Sequence, residues 1–273
     1  MAALMVFIVF LIAIAVSVPI GVAMCLGTLF PQYFMNAGAP VDQLINFTLS
    51  GADSTPILAV PLFILGGVIM AEGGISRRLF NFFSYFVGNI PGGVPCAAIL
   101  TCLFYGAISG SGPATTAAVG SMCIPFMVEM GYEKRWSAGL IAVAGGLGVI
   151  IPPSVPFVMY GQSAGVSVAD LFTAGILPGI LIGVSLCLYT TFYCKKHKYI
   201  NKDALPFSWG NVGRTLKDGV WALLVPVIIL GGIYGGIFTP TEAAVVAVVY
   251  SVVIGKFVYK ELDGKTLYEC LRT

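Results

Sequence analysis

Phe104 to Val119 reads FYGAISGSGPATTAAV, inside a run from Leu79 to Val128 that carries no Asp, Glu, Lys, Arg or His. In the middle of that run stand Ser109-Gly110-Ser111-Gly112-Pro113, followed by Thr115 and Thr116. Glycine, serine and proline break an apolar helix here. The surroundings are too hydrophobic for an ordinary surface loop, and non-helical backbone at membrane depth persists only where protein or a polar cavity satisfies its groups. Two helical arms, about Val94 to Ala107 and Pro113 to Met130, meeting at a Ser/Gly tip, satisfy that condition as a re-entrant hairpin. The same residues also fit two complete crossings joined by a short external turn. A re-entrant tip offers carbonyl and hydroxyl oxygens, the hard neutral ligands an alkali cation accepts. The first N–H groups of the second arm face an anion instead.

Composition sets the broad class. The 273 residues are 58% hydrophobic and 10% charged, against roughly 25% charged in a soluble domain. Several windows reach the roughly 20 apolar residues that cross a bilayer, which predicts an all-α polytopic membrane protein. Gly 34 and Pro 16 fit closely packed and interrupted membrane helices. Cys25, Cys96, Cys102, Cys123, Cys187, Cys194 and Cys270 lie mostly in apolar runs without paired spacing. They read as small buried hydrophobes rather than disulfides or a metal site.

Outward from the centre, the chain divides as follows. Ala2 to Phe30, ended by Pro31, reads as one retained membrane helix, since no basic segment precedes it. Gln32 to Thr55 reads as an external connection with room for a short interfacial helix. Thr55 to Ala71 is a crossing, followed by the charged turn Glu72 to Arg78. The aromatic stretch Leu79 to Ile90 suits the headgroup level, and Pro91-Gly92-Gly93 turns the chain into the hairpin.

A second break lies in the segment of about 136–162. There Gly145-Gly146-Leu147-Gly148-Val149-Ile150-Ile151-Pro152-Pro153-Ser154 interrupts an apolar run. A double proline deletes amide donors and frees carbonyls that a continuous helix would use. Those carbonyls find partners either by closing an ion cage with the first tip or in a packing kink satisfied by water and hydroxyls. Leu171 to Tyr193 crosses again, and Lys195, Lys196, His197, Lys198 and Lys202 form a basic anchor rather than a nucleic-acid patch. Ser208 to Asp218 reads as a membrane-surface segment before a crossing from Gly219 to Ile237. Ala243 to Gly255 returns.

The charges set an orientation. All 14 Lys and Arg residues fall in or beside connections on one side of this path, while Asp42, Asp53 and Asp170 fall on the other. That is a positive-inside pattern, with a cytoplasmic N terminus and about six crossings besides the hairpin. Pro61 to Gly67 (PLFILGG) is similar to Pro226 to Gly232 (PVIILGG), and the path runs them in opposite directions, as inverted repeats would.

Four stretches carry a family resemblance: PLFILGGVIMAEGGISRRL at Pro61 to Leu79, SGSGPATTAAVGS at Ser109 to Ser121, GLGVIIPPSVPFVMYG at Gly146 to Gly161, and GGIYGGIFTPTEAAVVA at Gly231 to Ala247. Together they resemble the large membrane subunit of tripartite ATP-independent periplasmic (TRAP) transporters, the DctM type. The resemblance implies the first inverted-repeat half of an elevator-type fold over residues 1–205, with the second repeat beginning at 206–273. It implies a bacterial inner-membrane permease that couples uptake of an organic acid, such as a C4-dicarboxylate or sialic acid, to inward sodium movement. The implied partners are a small four-helix membrane subunit, a periplasmic solute-binding protein and the surrounding lipid. Ser109, Gly110, Ser111, Gly112 and Pro113 match the family's substrate-facing tip. Ser109, Ser111, Thr115, Gly148, Ile151 and Ser154 are the residues it implies for Na+, with Gly148 and Ile151 contributing backbone oxygens. No second Ser/Gly hairpin or double-proline break follows Ala247, so most of the second repeat is expected to be missing. A non-transporting scaffold or inactive fragment is therefore the alternative to a working carrier.

Other residues carry less. His197 reads as a surface histidine, Glu242 after Thr239-Pro240-Thr241 fits a helix cap at least as well as a proton relay, and Glu129 reads as a partner for Lys134 or Arg135. No GxxxxGK[ST] or HExxH pattern occurs, which disfavours ATP hydrolysis or a zinc peptidase.

Overall fold

The computed structural model describes residues 2–35, 40–88, 90–199 and 209–272, which are helical with connecting turns and no strand. Among the described residues, four helices are long and apolar enough to cross a bilayer: Thr55–Glu72, Val168–Lys196, Leu216–Tyr234 and Pro240–Val258. The pair Lys134–Ile150 and Val155–Ala164, bent by 41°, is a fifth candidate. The chain is a multi-pass membrane protein, and it packs as two units, divided between Ser54 and Thr55.

The first unit contains α1 (Ala2–Ala15), α2 (Ile20–Met35) and α3 (Val41–Ala52). The single crossing expected from Ala2 to Phe30 is instead two short helices folded back on each other. Ser17 takes φ 63° and Pro19 has no amide to continue a helix, so the chain reverses between Ala15 and Ile20. Gly27 of α2 then approaches Val6 and Phe10 of α1. Pro31, expected as the end of the helix, lies inside α2.

The second unit begins with α4 (Thr55–Glu72), which packs along α13 (Pro240–Val253), with Gly66 against Ala247 and Val248. In lipid, such close approach of small residues replaces the hydrophobic drive available in water. The aromatic stretch forms α5 (Ile75–Val87), whose Leu79, Phe80, Phe83 and Tyr85 are buried. Its main neighbour is α6 (Gly93–Ser109), the first arm of the hairpin. The second arm is α7 (Gly112–Glu129). The interrupted segment follows as α8 (Lys134–Gly145), the single turn α9 (Leu147–Ile150) and α10 (Val155–Ala164). Buried Ile99, Ile108, Val119, Ile141 and Leu147 join hairpin and broken helix in one core with Phe63 of α4.

The long α11 (Val168–Lys196) runs unbroken past Pro178. Then α12 (Trp209–Tyr234) continues directly from the segment expected to lie on the membrane surface. Lys202, Ser208 and the expected repeat boundary at 205/206 lie outside the described residues. A π-helical turn (Ile254–Val258) ends α13, and α14 (Gly264–Arg272) closes the chain. Glu242 caps α13 as expected: its carboxylate accepts from the Thr239 amide at 2.8 Å and its amide donates to Thr239 Oγ1 at 3.3 Å. Among the described residues the ion pair formed is Arg78–Glu261 at 2.8 Å, so Glu129 does not pair with Lys134 or Arg135. Exposed pairs of that kind gain little over hydration. His197 stacks on Tyr193, with ring centroids 4.1 Å apart.

Candidate functional site

The hairpin turns in three residues. Ser109 ends α6, Gly110 takes φ 62°, and Ser111 is extended and caps α7, its hydroxyl accepting from the Ala114 amide at 3.5 Å. Only glycine takes the Gly110 conformation without strain. Pro113 sits in the first turn of α7, where a missing amide hydrogen costs nothing. The broken segment turns in a similar way. Ile151 leaves the helix in an extended conformation, a cis bond joins Pro152 to Pro153, and Ser154 caps α10 by accepting from the Phe157 amide at 3.4 Å.

The two turns touch. The Val155 amide donates to the Gly110 carbonyl at 3.0 Å. Behind this link three residues of the hairpin satisfy one another. The hydroxyls of Ser109 and Thr115 lie 3.0 Å apart, Thr115 donates to the Ser111 carbonyl at 2.8 Å, and the Ser111 amide reaches back to Ser109 Oγ at 3.4 Å. Ser109 and Thr115 are fully buried. Gly148 closes the group from the broken helix: a Cβ there would stand 2.5 Å from Thr115 Oγ1 and 3.0 Å from the Ser111 carbonyl oxygen. Pro152 and Pro153 carry no amide hydrogen, so the carbonyls of Gly148 and Val149 lose their usual donors four residues on. Val149 recovers one from the Ser154 hydroxyl at 2.5 Å.

Of the residues singled out by sequence, Ser109, Gly110, Ser111, Thr115 and Gly148 therefore come together, and Gly112 opens α7 beside them, against Val149. Pro113 is exposed on the outer side of that turn. The Ile151 side chain points away, into the space left by Gly179 of α11. Ser154 uses its hydroxyl in both directions, donating to Val149 and capping α10. The group consists of neutral hydroxyl and carbonyl oxygens, a donor set that fits an alkali cation. Helix ends add to the field. The C-terminal end of α6 favours a cation, while the N-terminal ends of α7 and α10 favour an anion beside it.

Sequence reasoning missed two members of this site. The Tyr105 hydroxyl, buried, donates to the Gly67 carbonyl in the middle of α4 at 2.7 Å. Ser109 packs directly on Gly67. The Gly66-Gly67 pair is visible in the repeated PLFILGG segment, but nothing in it names its partner.

The profile of the family described as "Tripartite ATP-independent periplasmic transporter, DctM component" matches residues 7–273. The chain is 46% identical over 263 residues to an isethionate TRAP transporter permease protein, DctMQ, of Oleidesulfovibrio alaskensis, covering 96% of this chain and 41% of that protein. It is 41% identical over 267 residues to the C4-dicarboxylate TRAP transporter large permease protein DctM of Vibrio cholerae, covering 96% and 57%. To the sialic acid TRAP transporter permease protein SiaT of Haemophilus influenzae it is 37% identical over 260 residues, covering 95% and 42%. The chain thus spans about half the length of the curated relatives it matches.

Proposed function

Because this chain belongs to the DctM family of tripartite ATP-independent periplasmic transporters, we propose that it forms part of the large permease subunit of a sodium-coupled importer of an organic acid. The relatives' names include an isethionate, a C4-dicarboxylate and a sialic acid transporter, so the substrate class proposed is an organic anion such as a C4-dicarboxylate or sialic acid. The proposed setting is the bacterial inner membrane, with the N terminus and the basic connections inside. A small four-helix membrane subunit completes the scaffold, and a periplasmic solute-binding protein delivers the substrate.

The observation that carries this reading is the contact between the two breaks. The Gly110–Val155 bond and the Ser109, Ser111 and Thr115 oxygens, with Gly148 packed against them, bring neutral donors together beside the ends of α6, α7 and α10. Na+ bound there lowers the cost of placing a carboxylate at the neighbouring N-terminal ends of α7 and α10. Coupling follows when the occupied site changes the relative free energies of outward-facing and inward-facing states. Tight binding to both states alike would couple nothing. In an elevator arrangement the hairpin and broken helix move together, which their direct hydrogen bond favours.

Sodium-gradient uptake into proteoliposomes holding the assembled permease tests this. S109A combined with S111A is expected to raise the sodium concentration for half-activation about tenfold, the effect of losing roughly 1.4 kcal/mol of ligand interaction. Unchanged sodium activation at normal protein abundance would remove these hydroxyls from the site.

A further inference from the structure

A cleft of about 410 Å³ runs beside the hairpin. One wall is α7, where Ala114, Ala117, Ala118 and Ser121 present small side chains at the spacing of one helix face. The other wall is the end of α4, with Val68 and Ala71, and Tyr105 also lines the space. Its inner end is at the tip, since the Ala114 amide is the one bonded to Ser111. Its other end is lined by the charged turn of Glu72, Ser76 and Arg77 together with Glu261, and it is open along α7, where Ala117 and Ser121 are exposed. From Ala114 to Met122 the helix rises about 12 Å, so the cleft extends from beside the hairpin tip to the charged turn after α4.

The two arginines of that turn differ. Arg78 is committed: it pairs with Glu261 at 2.8 Å, donates to the Gly74 carbonyl at 3.1 Å, and lies 3.7 Å over the Tyr259 ring. Arg77 lines that end of the cleft, is exposed, and forms no ion pair among the described residues. A guanidinium is the planar, permanently charged group best suited to a carboxylate. The volume lies in the range of small-molecule sites, roughly 300–1,000 Å³.

The geometry points to a second anion subsite: the α4–α7 cleft holds the organic anion between the hairpin tip and the charged turn, with Arg77 receiving its acidic group at that end. Glu72 at the same end receives the accompanying cation, so both cargoes meet a group of opposite charge where they re-enter water. The inference rests on the transport reading for its direction of movement, but the subsite itself is a binding claim.

The test is modification of Ser121→Cys by a membrane-impermeant maleimide in the reconstituted permease, read peptide by peptide by mass spectrometry, with Ala118→Cys as the second position. Succinate, isethionate and sialic acid serve as probes, each with NaCl. At a probe concentration of roughly ten times its Kd, at least one is expected to slow labelling about tenfold. Arg77→Gln is expected to raise the concentration for half-protection about tenfold, as loss of a charged hydrogen-bond partner does, and Arg77→Lys to recover part of it. Sodium half-activation should stay unchanged in both. Intact uptake with labelling at both positions indifferent to every probe would overturn the subsite, as would Arg77→Gln leaving half-protection unchanged. Protection without sodium-driven uptake would support the subsite and count against the transport reading alone.

Discussion

Gly148 shows how closely the site is built at the level of single residues. Its missing side chain lets Thr115 Oγ1 and the Ser111 carbonyl come against the broken helix, where a Cβ would stand 2.5 and 3.0 Å from them. Gly148→Ala is therefore expected to cost about 1–3 kcal/mol, as overpacking of a close contact does, and to push Thr115 Oγ1 and the Ser111 carbonyl away from the broken helix. Thermal unfolding in detergent, with NaCl against choline chloride, measures both effects. A variant that keeps the wild-type sodium-induced shift would show that the contact has no part in ion binding. The local chemistry here was legible in sequence, because glycine, serine and proline in a charge-free run have few structural uses. What sequence could not supply was the division of labour. Ser154 and Thr115 look alike as hydroxyls, yet Ser154 serves its own turn, through Val149 and the cap of α10, while Thr115 joins Ser109 and the Ser111 carbonyl within the hairpin tip.

Among the elements, the hairpin and the broken helix share one core, and a backbone bond from Val155 to Gly110 ties their turns. Val155 is the first residue of α10, a position where proline is normally accommodated since its N–H lies outside the helix ladder. Ser154 before it is already extended, as a residue preceding proline must be. Val155→Pro thus removes the donor to Gly110, along with the branched side chain that packs on the core beside it, and Val155→Ala, which keeps the amide, separates the two losses. Sodium-dependent uptake by Val155→Pro is expected to fall well below wild type while α10 stays helical by circular dichroism; full uptake would mean that the two turns need no such tie. Both interrupted elements were readable because Pro152-Pro153 and the Ser109 to Pro113 turn each contradict an apolar helix. The reversal between α1 and α2 was not, although Pro19 is plain in the sequence. Hydropathy is the same for one long helix and for two short ones folded back, and only the φ of Ser17 and the contact of Gly27 with Val6 separate them.

For the molecule as a whole, the long-range partners decide the arrangement, and these are the part a single sequence leaves out. Arg78 and Glu261 are 183 positions apart, yet their pair, with Tyr259 beneath it, fixes the turn after α4 to the end of α13. Glu261→Gln should lower stability by about 0.5–1 kcal/mol, since both side chains are partly exposed and the pair is screened. The loss should shrink as salt rises, and thermal unfolding at two ionic strengths would detect it. An effect that grew with salt would assign Glu261 some other role.

The proposed transport reading makes the Ser109 to Thr115 turn and the Gly148 to Val155 turn halves of one sodium site. Hydrogen exchange of the assembled permease in NaCl, compared with KCl at equal ionic strength, tests it most directly through the amides of Ser111 and Val155. Sodium is predicted to slow exchange in both turns together, with the same half-saturating concentration. Protection of one turn without the other, or equal exchange in the two salts, would contradict a shared site.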